Sequence, residues 1–129
     1  FYLFACSVGN PHAVTFLDSL DLDIERYGRI IGSDRIFPAG ANVSFVRPLR
    51  VGTLQARVWE RGSGETLACG SGACAVTAAA IEEGYAEYGM PVRVILPGGV
   101  LTVSVRETGE VTQTGEAVTV FSGVFSWEA

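Results

Sequence analysis

Phe1 to Val8 is an aromatic and apolar run that closes at Gly9-Asn10-Pro11, the pattern of a buried strand ended by a turn. Ala13 to Leu17 predicts a second strand directly after it. Asp18 to Ile31 places Leu20, Ile24, Tyr27 and Ile31 on one helical stripe, with acids and arginines between them and Gly32 as a stop. This predicts an amphipathic surface helix, although the alternation of Leu20, Leu22 and Ile24 also fits a strand and Gly28 counts against a helix. Phe37 to Gly40 reads as a loop. Ala41 to Arg47 reads as a short strand in which Val43, Phe45 and Val46 crowd together, implying burial on both faces or a bulge. Thr53 to Glu60 alternates, so Leu54, Ala56 and Val58 are predicted to face the core and Gln55, Arg57 and Trp59 the other side.

From Ser71 to Glu83 the residues are apolar and mostly small on every side, which predicts a helix buried all round. After Gly84 the pattern returns to strands, at Val92 to Leu96, Val100 to Arg106 and Val118 to Phe125, with turns at Pro97-Gly98-Gly99 and near Thr108-Gly109-Glu110. Strands before and after one buried helix predict an α+β fold, a barrel-like mixed sheet wrapped around that helix. Residues 1–129 are read as a single domain.

Composition narrows the chemistry. A net charge of −5 comes from 14 acids against 9 arginines scattered along the chain, so a nucleic-acid partner is not expected. The chain has no lysine, which excludes from it a pyridoxal phosphate Schiff base and a P-loop lysine. Cys6, Cys69 and Cys74 form an odd set without a signal peptide, which reads as free thiols in a reducing, cytoplasmic compartment. The apolar opening Phe1 to Ala5 lacks a basic region and is far shorter than the roughly 20 residues of a membrane helix, so no membrane partner is expected. A start inside an apolar run, without Met, suggests a trimmed chain whose partner half is missing.

The candidate chemistry concentrates between Trp59 and Ala80. A glycine-broken loop carries Glu60 and Arg61, delivers Cys69 at a turn and runs into the Ala-rich helix through Gly70-Ser71-Gly72. The first turn of a helix leaves N–H groups without partners, so a thiolate is stabilised there and a carboxylate can dock beside it. A small buried cysteine in a tight turn is the plainer reading, and the acid, the guanidinium fork and the glycines weigh against it. His12, the only histidine, lies at a turn that can expose its ring; local bonding to backbone explains it as well as catalysis does. Asn10 and Asn42 each sit beside a Gly- and Pro-containing turn. Cys74, five residues after Cys69, points away from it by roughly 140° around a helix. It and Cys6 read as core thiols, and no metal site is expected.

Four stretches, G-N-P-H at Gly9 to His12, F-P-A-G-A-N-V at Phe37 to Val43, E-R-G-S-G-E-T-L-A-C-G-S-G-A-C-A at Glu60 to Ala75 and G-E-A-V-T-V-F-S-G at Gly115 to Gly123, occur in order and together resemble the C-terminal half of the diaminopimelate epimerases. The resemblance implies two similar domains, each a barrel-like sheet around a central helix, with the active site between them. It implies cofactor-independent interconversion of LL- and meso-diaminopimelate, in lysine and peptidoglycan synthesis, by two cysteines acting on opposite faces of the α-carbon. By this resemblance Cys69 is one of the pair and Glu60 moves its proton. His12 assists the other cysteine, which belongs on the missing N-terminal domain. The backbone N–H groups of Gly70 and Ser71 hold the reacting carboxylate, and Arg61, Asn10 and Asn42 grip the distal amino-carboxylate end. The helix N-terminus is expected to lower the pKa of Cys69, and the isolated chain is expected to be inactive. A homodimer remains open.

Three alternatives stand beside this reading. One is another cofactor-independent racemase or isomerase of the same fold, one a cysteine hydrolase using Cys69 and His12, and one a non-catalytic domain fragment.

Overall fold

A computed structural model describes residues 1–129. Eight strands and two helices follow the order β1 (Phe4–Ser7), β2 (Pro11–Phe16), α1 (Ile24–Gly32), β3 (Asn42–Arg50), β4 (Thr53–Glu60), β5 (Gly64–Thr66), α2 (Gly70–Glu82), β6 (Val92–Leu96), β7 (Gly99–Val105) and β8 (Val111–Thr114). They build one mixed sheet in the order β1-β2-β3-β4-β6-β7-β8, with β5 added to the end of β4. The β2–β3 and β4–β6 pairs are parallel and the rest antiparallel. The sheet curls round α2, which touches β1, β2, β3, β6, β7 and β8, while α1 lies against β3, β4 and β5. The expected α+β architecture, a barrel-like mixed sheet around a buried helix, is therefore the observed one, as an open half-barrel.

The two-residue period of the strands divides the apolar residues between two cores. Val14, Val46, Leu54, Ala56 and Val58 join Ala73, Ala75, Val76, Ala79 and Ala80 of α2 in the main cluster. Ala13, Val43 and Phe45 face the other way and pack with Ile24 and Ile31 of α1. The crowding at Val43, Phe45 and Val46 is thus burial on both faces, and the register irregularity of β3 comes later, between Pro48 and Arg50. Alanines suit α2 because a helix enclosed by a tightly curled sheet has no room for long side chains. One narrow stripe stays half-buried, at Ser71, Cys74 and Ala78. It faces a groove of about 700 Å³ lined also by Ser7, Val8, Val105, Val111 and Gln113, from the two ends of the sheet.

Several boundaries differ from the pattern-based expectation. The first strand is shorter and lies at an edge, with Ala5 and Ser7 exposed. The first helix starts only at Ile24, where the Asp23 carboxylate accepts from Arg26 N–H at 2.9 Å and so caps it. Leu20 and Leu22 pack against the outer core from the segment before the helix, which explains why they alternate. Arg57 fixes that segment, donating to Leu20 O at 2.9 Å while its fork grips Glu65 of β5 at 2.7 and 2.9 Å. The strand expected at Val118 to Phe125 is absent. Pairing with β7 is taken instead by Val111 to Thr114 after the expected turn, and residues 115–129 form no strand and stand exposed.

Gly28 and Gly32 form the face of α1 laid over Trp59. A Cβ on Gly28 would stand 2.4 Å from Trp59 Cγ, and one on Gly32 would stand 2.5 Å from the same ring and 2.7 Å from Ala41 O. Helix propensity alone favours Gly28→Ala by up to about 1 kcal/mol. The overlap reverses the sign, and a net loss of about 1–2 kcal/mol is expected, read as a lowered midpoint in urea unfolding.

Candidate active site

Strand direction gathers the candidate residues at one end of the half-barrel. β2 and β3 are parallel, with His12 near the start of β2 opposite Asn42 at the start of β3, while β4 runs against β3 and ends at Glu60. The hairpin from β4 into β5 then turns the chain back toward α2, placing Cys69 at its N-cap. Cys69 Sγ accepts from Gly72 N–H at 3.3 Å and lies 3.6 Å from Ser71 Oγ. Gly72 suits that approach, since a Cβ there would sit 3.1 Å from the sulfur and press it aside by a few tenths of an ångström. The N–H groups of Gly70 and Ser71, in the same first turn, have no intrahelical partner and aim outward from the helix end.

A polar cluster surrounds the thiol. His12 is fully buried, contrary to an exposed ring, and its Nε2 meets Asn10 Oδ1 at 3.1 Å. Asn10 Nδ2 donates to Ser71 Oγ at 3.4 Å. Burial lowers the pKa of His12 and the Glu60 charge raises it, burial being the larger effect. The imidazole is therefore held neutral, and its Nδ1 is buried with no protein partner. Glu60 is fixed by Thr66, whose hydroxyl donates to Oε1 at 2.7 Å. Asn42 Oδ1 accepts from Arg61 N–H at 2.9 Å, and the Arg61 guanidinium reaches Ala39 O in the Phe37 to Gly40 loop. All eight expected site residues thus share one end of the fold. Arg61 and Asn42 lie at its rim, and Cys69 and His12 are not in direct contact.

The expected fall in the pKa of Cys69 is not found. Burial pushes the thiol up first, Ser71 and Gly72 pull it down by hydrogen bonding, and the Glu60 carboxylate pushes it up again, with a net rise. Cys69 is therefore held as the neutral thiol at neutral pH, beside the Glu60 carboxylate. Cys74 is not enclosed in the core as expected; it is half-buried on the groove stripe. Cys6 is likewise half-buried against the main core. Burial raises the pKa of both thiols.

Two site residues escaped the sequence reading. Thr66, which orients Glu60, lies inside the Glu60 to Ala75 motif, where only the fold brings it to the carboxylate. Gln113 donates to Gly70 O at 2.7 Å and lies 3.6 Å from Cys74 Sγ, so β8 holds the start of α2 in place. Nothing near Gln113 in the chain marked it.

Comparison with known proteins shows the family to which the chain belongs. The sequence model of the family described as diaminopimelate epimerase matches residues 4–120, nearly the whole chain. The chain belongs to the diaminopimelate epimerase family. The chain is similar to the diaminopimelate epimerase of Xylella fastidiosa (strain M23), with 47% identity over 94% of this chain and 43% of that protein. It is also similar to that of Methanococcus maripaludis (strain C6), with 44% identity over 95% of this chain and 44% of the relative. It therefore spans less than half the length of these curated family members. Among solved structures it resembles a PhzF-family phenazine biosynthesis protein of Bacillus anthracis, with a TM-score of 0.57 and 26% identity over 86% of this chain and 37% of that one. A PhzF-family protein of Enterococcus faecalis, 22% identical with a TM-score of 0.55 over 81% of this chain and 38% of its own, shares the fold. No helix in the structure is long and apolar enough to cross a membrane.

Proposed function

We propose that this chain is the C-terminal domain of a cofactor-independent diaminopimelate epimerase, contributing one of two thiols that exchange the α-proton between LL- and meso-diaminopimelate in lysine biosynthesis. The observation that carries the reading is Cys69 at the N-cap of α2, with the free N–H groups of Gly70 and Ser71 beside it and Glu60 arriving from β4. The amides bind the reacting carboxylate where negative charge grows as the proton leaves. Cys69 gives a proton to, or takes one from, one face of the α-carbon, and Glu60 resets it. Asn10, Asn42 and Arg61 supply amide and guanidinium groups for the distal amino-carboxylate end, and His12 serves the cysteine on the opposite face.

That opposite thiol belongs to an N-terminal domain. Cys74 lies on the same helix as Cys69 and Cys6 lies in a strand packed against that helix, so neither stands across a ligand from it. Two features support a second domain as partner. The groove over α2 is flanked by the two end strands β1 and β8, each with one unpaired edge. Residues 115–129 carry Val118, Val120, Phe121, Val124, Phe125 and Trp127, all exposed, a density of apolar side chains that water does not favour. The reaction needs neither metal nor cofactor, and a cytoplasmic setting suits its free thiols.

A second reading is another cofactor-independent amino-acid racemase or isomerase of the same fold, a fold shared with structures described as PhzF-family phenazine biosynthesis proteins. A hydrolase is disfavoured because the His12 Nε2 atom is engaged by Asn10 rather than by Cys69.

The 129-residue chain alone is expected to bind diaminopimelate weakly and to incorporate no deuterium at its α-carbon in heavy water. Calorimetry against diaminopimelate and proline, with mass-spectrometric deuterium counting, decides the matter. Full epimerase activity from the chain alone would sink the two-domain reading, and a preference for proline would favour the second isomerase.

A further inference from the structure

We propose that Ser71 is a positioning residue for Cys69, its hydroxyl held by Asn10 and His12 so that its own hydrogen is directed at the Cys69 sulfur. The inference rests on the reading of Cys69 as the acid/base thiol.

The direction follows from counting donors along the chain of contacts. With Nε2 carrying the single ring hydrogen of a neutral His12, Asn10 Oδ1 accepts at 3.1 Å and the amide is locked with its Nδ2 toward Ser71. Asn10 Nδ2 then donates to Ser71 Oγ at 3.4 Å and occupies an acceptor site of the hydroxyl. A hydroxyl has one hydrogen. Cys69 Sγ, 3.6 Å away, is the other polar atom in reach of Ser71 Oγ. A sulfur accepting from both Ser71 O–H and Gly72 N–H is best satisfied as a thiolate. Turning the Asn10 amide over would make Ser71 donate to Asn10 instead and leave the sulfur with only the Gly72 amide. Asn10 therefore sets which way the hydroxyl points, in addition to any contact with a ligand.

The groups that face the thiol are Glu60 from β4, Cys74 on α2 and, through Asn10, His12 on β2. Glu60 opposes ionisation of Cys69, and Ser71 is the larger of the two hydrogen-bonding influences that favour it. The relay offsets part of the penalty that burial imposes, so that the thiolate is reachable when a ligand arrives.

The test is the pH dependence of iodoacetamide alkylation of Cys69 in the 129-residue chain, followed by peptide mass so that Cys6, whose thiol is shifted by burial alone, serves as an internal reference. Ser71→Ala is expected to raise the Cys69 midpoint by about one pH unit, and Ser71→Thr to restore it. Asn10→Ala is expected to raise it by less, with the Cys6 midpoint unmoved throughout. An unchanged midpoint in Ser71→Ala, a Thr variant that behaves like Ala, or an Asn10→Ala variant without effect would each overturn the relay. The readout is independent of diaminopimelate, so it can fail while the epimerase reading stands, and the converse holds.

Discussion

Cys69→Ser, in the chain joined to the complementary domain of a full-length relative, is expected to reduce α-hydrogen exchange on diaminopimelate by about 10²–10⁴-fold while leaving ligand affinity within a few-fold of the parent. Serine keeps the N-cap, since its oxygen can accept from Gly72 N–H as the sulfur does. It also leaves the amides of Gly70 and Ser71 in place to hold the carboxylate. What it loses is a proton that can leave near neutral pH, because an alcohol does not ionise in the range open to a thiol. Exchange and affinity therefore separate, and deuterium wash-in beside calorimetry shows whether they do. Retention of more than a tenth of the exchange would remove Cys69 from the proton path.

Glu60→Gln is expected to move two quantities in opposite directions. Thr66 O–H can donate to the Gln carbonyl as it does to Glu60 Oε1, so the side chain keeps its place and loses its charge. That charge raises the pKa of Cys69, and removing it favours the thiolate, so the midpoint for alkylation of Cys69 falls. His12 responds in the same sense, losing the charge that favours its protonated form. Catalysis falls by about 10²-fold or more, because an amide can neither receive the Cys69 proton nor return it. A thiol that is more reactive in a slower enzyme is the signature of a carboxylate acting as proton partner. If reactivity and exchange decline together, Glu60 is only a structural support.

The alternation of Leu54, Ala56 and Val58 and the small-residue run of α2 made the main core legible, because period and side-chain size are properties of the chain itself. Cys69, Glu60 and Arg61 were legible because they lie within one short motif. His12, Asn10 and Asn42 came only by family resemblance, and the parallel pairing that sets His12 opposite Asn42 follows from a crossover that no local pattern encodes. The strand expected at Val118 to Phe125 failed for a related reason. Its apolar residues are strand-like, and neither free edge of the sheet, at β1 or at β8, takes them up. The sign of the Cys69 shift was missed because a helix end is visible in sequence while burial and the approach of Glu60 are tertiary.

Trp59 sits one residue before Glu60 and lies beneath the glycine face of α1. The helix that roofs the outer core therefore shares a lever with the carboxylate. The indole takes its cover from α1, while the end of β4 is held on its other sides by pairing with β3 and β5. A substitution on α1 that pushes on the indole would therefore be felt one residue away from the carboxylate, although α1 itself lies outside the candidate site.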